Sequence, residues 1–77
     1  MKYKVDVIEL RKLMVENGFN SNLALEKASG VNRNTISGIL SESIRPSVQV
    51  MDKLAEALKM TPAQAGSVFF APDLRIA

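Results

Sequence analysis

Apolar residues along the chain fall into short helical stripes separated by capping residues. Val7, Leu10 and Met14 recur at i, i+3 and i+7, with Leu13 on the same side, which is the spacing of one helix face. This stripe predicts a first helix over about 5–17, closed by Asn17-Gly18 and carrying Asp6 and Glu9 early, where the helix dipole favours acids. Residues 2–7 also alternate between polar and apolar, so a short extended start competes with the helix there. Ser21 is an N-cap for a short second helix with Leu25 and Ala28 inward, ending at Ser29-Gly30. Asn32 caps a third helix over about 33–41, anchored by Ile36, Ile39 and Leu40, with Val31 turned into the core ahead of the cap. Residues 41–46 read as a loop, because Pro46 cannot continue a helix and biases Arg45 toward an extended conformation. Ser47 caps a fourth helix with Val48, Met51, Leu54, Ala55 and Leu58 inward and Asp52, Lys53, Glu56 and Lys59 outward. Thr61-Pro62-Ala63-Gln64 is a capping box with Pro at the first helical position, opening a fifth helix that runs to about Phe69. Phe69 and Phe70 are adjacent, so one enters the core while the other points away. Residues 71–77 lack a helical period and read as an irregular tail. The pattern therefore predicts an all-α fold, a compact bundle of five short helices forming a single domain over 1–77.

Composition narrows what such a bundle can do. A chain of 77 residues supports only a small core, although a hydrophobic content of 47% suffices to pack one. There is neither cysteine nor histidine. Disulfides, thiolate metal sites and the commonest general base are excluded together. No metal or other cofactor is expected, and no cluster of metal-ligating spacing or Gly-rich phosphate loop is present. The opening Met1-Lys2-Tyr3-Lys4 does not resemble a secretory leader. No apolar run approaches the ~20 residues of a membrane span. A cytoplasmic location and no membrane partner are the expectations. The net charge of +2 is a mild bias that leaves the partner open.

The turn between the second and third helices is more informative. Only a short link containing Gly30 separates them, the arrangement of a helix-turn-helix, and Gly readily takes the positive φ that a tight turn requires. The third helix then opens on Asn32, Arg33, Asn34 and Thr35. If Ile36, Ile39 and Leu40 face inward, then Asn32, Arg33, Asn34, Ser37 and Ser41 occupy the outer side, and Gly38 removes bulk from it. Buried polar side chains without partners are costly, so these residues are placed to meet something outside the bundle. Arg can donate two hydrogen bonds to guanine O6 and N7, and Asn can pair with adenine N6 and N7, in the major groove of DNA. The N-terminal end of such a helix is the part that enters the groove.

The residues Leu25, Gly30-Val31, Ile36-Ser37, Ile39 and Pro46-Ser47 give this chain a specific resemblance. At these spacings the chain resembles the phage repressor family, the Cro/CI or XRE-type helix-turn-helix DNA-binding domains. The resemblance implies a lambda-repressor-like fold and sequence-specific binding of double-stranded DNA. A phage or bacterial transcriptional repressor would read an operator half-site with its third helix. Carried over by position, Asn32, Arg33, Asn34 and Ser37 match the base-reading region. Ser21 and Asn22 match positions that touch phosphate, and Thr35, Ser43 and Arg45 are further backbone contacts. Gly38 stands where members often carry a reading side chain. Glu26 stands where the family usually has Ala packed on the third helix, and Glu42 where many members end that helix with Gly. The Glu26 carboxylate must then reach the surface, with Arg33 as a candidate partner, or the two helices must be spaced differently.

A module of this size reads only a few base pairs, so useful specificity implies a homodimer on a two-fold related operator. The competing expectation is a helix-turn-helix scaffold that engages another protein, antitoxin-like or as the target of an anti-repressor. Glu26, Glu42 and the modest net charge favour that alternative. An enzyme is not expected, and neither is a small-molecule substrate, because a bundle this small offers little room for a pocket.

Overall fold

The computed structural model describes residues 2–74. Its elements are β1 (Tyr3–Lys4), α1 (Val7–Glu16), α2 (Asn22–Ser29), α3 (Arg33–Leu40), α4 (Val48–Ala57), α5 (Pro62–Phe69) and β2 (Ala71–Pro72). The five helices form the all-α bundle that the apolar stripes predict. α2 packs on both α3 and α4, while α1 packs on α3 and α5.

Each helix starts where a side chain can satisfy an orphan N–H. Asp6, Ser21, Asn32, Ser47 and Thr61 accept from the backbone of Glu9, Ala24, Asn34, Val50 and Gln64 respectively, the role of an N-cap. The Thr61 capping box is complete, with the Gln64 side chain accepting from the Thr61 N–H at 2.9 Å. Three helices finish in the same way. After α1, Gly18 N–H reaches Val15 O and Phe19 N–H reaches Met14 O; after α3, Glu42 reaches Ile39 and Ser43 reaches Gly38; after α4, Lys59 reaches Glu56 and Met60 reaches Ala55. These are Schellman motifs, which need a left-handed residue just past the helix. Gly18, Glu42 and Lys59 supply it with φ of 81°, 64° and 55°.

The core gathers Leu10, Leu13 and Met14 from α1, Leu25 from α2, Ile36, Ile39 and Leu40 from α3, and Leu54 from α4. Leu58 after α4 and Val68 and Phe69 of α5 complete it, together with Val31, buried in the turn as its place before the cap implies. Burying each of these side chains contributes about 1.5–3 kcal/mol, so a bundle this small depends on all of its layers. Asn17 adds a polar tie, its Nδ2 donating to Leu13 O at 2.8 Å and to Leu58 O at 3.1 Å.

Four expectations are corrected. The first helix begins at Val7, because the Asp6 side chain caps it and the Asp6 N–H is bound to Val68 O at 2.7 Å. The competing extended start is real: Tyr3 pairs with Pro72 and Lys4 with Ala71 in an antiparallel two-stranded sheet. The segment after Phe70 is therefore not wholly irregular, although residues 75–77 of that tail lie outside the described residues. Ala28 and Val48 face outward, and Leu25 and Val50 take the inward positions on their helices. Phe69 is buried, while Phe70 is half exposed and meets Tyr3 edge to face at 6.3 Å.

Candidate nucleic-acid interface

The link between α2 and α3 is Gly30-Val31-Asn32. Gly30 adopts φ 77° and closes α2 by donating to Glu26 O, a conformation that a residue with a Cβ takes only at a cost. The Ser29 hydroxyl donates to Leu25 O at 2.7 Å and accepts from Val31 N–H at 3.1 Å. These bonds aim Val31 into the core and leave Asn32 at the surface to start α3.

α3 divides into two faces as its pattern implies. Ile36, Ile39 and Leu40 are buried, while Asn32, Arg33, Asn34, Ser37 and Ser41 are exposed. Asn32 uses its Oδ1 to accept from Asn34 N–H at 2.7 Å, and its Nδ2 keeps both donors. Among the described residues, the side chains of Arg33 and Asn34 make no hydrogen bond or ion pair within the fold. Thr35 is half buried beside them. At the other helix start, Ser21 is exposed and its hydroxyl oxygen accepts from Ala24 N–H, with Asn22 half buried behind it. The remaining first-turn N–H groups of both helices are oriented as helix starts always are, toward where an anion would sit.

The loop after α3 is held more tightly than its sequence suggests. Gly38 O accepts from Ser43 N–H at 2.9 Å and Ile44 N–H at 3.1 Å, and the Ser41 and Ser43 hydroxyls lie 3.1 Å and 3.2 Å from it and 2.9 Å from each other. The Ser41 and Ser43 hydroxyls and Gly38 O form one small network, so Ser43 must give up a bond within the loop before it can donate to a phosphate. Arg45 is exposed and one arm of its guanidinium donates to Tyr3 O, tying the loop to β1. Arg has five N–H donors, so this bond leaves others for an anion. A cavity of about 280 Å³ lies where the loop meets β1, bordered by Lys4, Glu42, Arg45 and Asp73 among others.

Gly38 differs from its sequence reading. It does not open the outer face of α3, because it is buried beneath Ile44. A methyl group built on Gly38 would land on the Ile44 Cδ1 and lie 2.6 Å from its Cγ1. The Ile44–Gly38 contact joins residues six apart across a turn, and no periodicity marks it; the one available signal was a Gly inside a helix followed by an apolar residue in a polar loop. Glu42 takes the left-handed conformation at the position where the sequence comparison expected Gly, so the backbone keeps the shape without the residue that favours it. Glu26 is half buried, short of the full burial that would have made its charge prohibitive.

Comparison with known proteins agrees with this geometry. The family model for the Cro/C1-type HTH DNA-binding domain matches residues 9–65, which take in α2, the turn, α3 and α4 whole. No curated protein and no solved structure matches the chain.

Proposed function

We propose, for a chain that belongs to the Cro/C1-type HTH DNA-binding domain family and so binds DNA in a regulatory role, that it is a sequence-specific transcriptional repressor of phage or bacterial type. It reads an operator half-site through the major groove with α3, in the cytoplasm of the bacterial cell or infected host. Arg33 is the guanine reader and Asn34 the adenine reader, with Asn32 Nδ2 and the Ser37 hydroxyl as shorter-reaching partners. Ser21, Asn22, Thr35, Ser43 and Arg45 hold the phosphates on either side, together with the first-turn N–H groups of α2 and α3. Two copies on a two-fold operator, about one helical turn apart, supply the specificity that one half-site lacks.

The observation that carries this reading is that Arg33 and Asn34 stand exposed in the first turn of α3 with no side-chain partner among the described residues. A solvent-facing guanidinium and amide whose hydrogen bonds serve nothing in the fold are available to base edges. Titration of the chain into random-sequence duplex at two salt concentrations tests it. Affinity falling steeply with salt is expected; affinity absent at both, or indifferent to salt, sinks the reading.

A second reading, a scaffold that engages another protein, is favoured by Ile8 and Val15. They lie seven residues apart on one face of α1 and are 81% and 75% exposed. Replacing both with Ser leaves duplex binding unchanged if α3 is the working surface. Retained function in the cell after Arg33→Ala, combined with its loss after the Ile8 and Val15 changes, would favour the second reading.

A further inference from the structure

We infer that Ile44, a loop residue outside the recognition helix, is a specificity-determining residue that reads the C5-methyl group of thymine in the major groove. The inference rests on the reading of DNA by α3 proposed above.

Gly38 lies one helical turn after Asn34, so a side chain there would leave the helix on the same face as that proposed base reader. That space is filled from elsewhere. The Ile44 side chain stands where a residue at position 38 would place its first carbons, with Cγ1 2.6 Å and Cβ 3.1 Å from the Cβ that Gly38 lacks. A longer side chain at 38 and Ile44 in its present place exclude each other, so this surface carries Ile44 in place of a helix-borne reader.

Ile44 is also held there. Its own N–H, the Ser43 N–H and the hydroxyls of Ser41 and Ser43 all converge on Gly38 O, and Arg45 anchors the next residue to β1. A residue whose backbone is already fixed has only its side-chain freedom left to lose on binding. Despite this packing Ile44 remains 43% exposed, while Ile39 beneath the loop is already buried. The exposed part of Ile44 is therefore more apolar surface than covering the core requires. Among the groups that base edges present in the major groove, the thymine C5-methyl is the one methyl, and it is the partner of an apolar side chain. Burying one methyl corresponds to about fourfold in affinity.

The test uses the full chain and duplexes it enriches from a random library, resynthesised with deoxyuridine replacing each thymine in turn. Deoxyuridine keeps every hydrogen-bonding group and lacks only the methyl. The expected result is one position at which deoxyuridine weakens binding about fourfold. There Ile44→Ala binds the thymine and deoxyuridine duplexes equally, and Ile44→Val keeps the response. Enriched duplexes on which no deoxyuridine substitution matters, or on which Ile44→Ala remains as sensitive as the unaltered chain, overturn the role of Ile44 while leaving the reading by α3 intact. Failure to enrich any duplex overturns both. Thermal melting of Ile44→Ala checks its fold; if that variant unfolds, Ile44→Thr, which keeps the β-branch, takes its place, and an unaltered chain that responds at no deoxyuridine overturns the role without any variant.

Discussion

At its start, α3 places Asn32, Arg33 and Asn34 in solvent, held by two local bonds, Asn34 N–H to Asn32 Oδ1 and Ile36 N–H to Asn32 O. At its end, Gly38 is buried beneath Ile44, its carbonyl takes the Ser43 and Ile44 N–H groups beside the Ser41 and Ser43 hydroxyls, and Glu42 is turned into a left-handed conformation to let the chain leave. The first end is shaped by its own neighbours in sequence. The second depends on a loop that is in turn tied to β1 through Arg45. The difference separates two kinds of position on one short helix. Where the fold makes no use of a side chain, its identity is left to what it meets outside. Where the fold uses even the absence of a Cβ, substitution acts on stability first.

Changes at the two ends should therefore fail in different assays. The largest effect on the fold is expected from Gly38→Leu. Its side chain and Ile44 compete for one space, and overpacking of this kind costs roughly 1–3 kcal/mol. A net loss of about 2 kcal/mol would lower the Tm by about 10 °C in a domain this small. Adding Ile44→Ala should recover part of that loss, and a double-mutant cycle by thermal melting measures the coupling. At the other end, Arg33→Ala is expected to leave the Tm within about 4 °C of the parent, since exposed substitutions shift stability by no more than ~0.5 kcal/mol. Its affinity for an enriched duplex should fall by about 2 kcal/mol, the loss of one bidentate base contact, and fluorescence anisotropy reads this directly.

Asn32→Ala sharpens the comparison because it touches both functions. Loss of the cap costs about 1 kcal/mol of stability, visible by urea unfolding, and Asn32→Ser should restore the cap without restoring any contact made by Nδ2. The smallest effect belongs to Glu42→Gly. A non-glycine residue in the left-handed region costs roughly 1–2 kcal/mol, and the added freedom of Gly in the unfolded chain returns roughly 0.4–1 kcal/mol of that. Glu42 also makes an interaction of its own in the fold, which offsets that gain, so a net change of no more than about 0.5 kcal/mol is expected in the same unfolding experiment. A loss would mean that the Glu42 side chain contributes more than its backbone conformation costs.

The same contrast decides what could be read from sequence. The caps at Ser21, Asn32, Ser47 and Thr61 act over two or three residues, so a local pattern reveals them. Gly30 was legible for the same reason, and Ile36, Ile39 and Leu40 followed from helical spacing. The pairing of Tyr3 with Pro72 was not, because two-residue strands at opposite ends of the chain carry almost no signal of their own. The apolar stripe of α4 differs from the buried one at Val48, where an apolar residue in the first turn lies beyond the reach of the core and Val50 is used instead. Ile44 over Gly38 is a contact across a turn, made where a loop that reads as polar folds back on its own helix. The exposed residues in the first turn of α3 were legible as candidates because polar side chains at a helix start need no tertiary partner.

The most direct measurement is the affinity of an Arg33→Ala, Asn34→Ala double variant for an enriched duplex, taken beside the parent at matched salt and with melting curves for both. A fall of at least tenfold with an unchanged Tm is expected, because both side chains are exposed and neither has a partner in the bundle. Equal affinity of the two proteins, with both folded, would contradict the assignment of base reading to the first turn of α3.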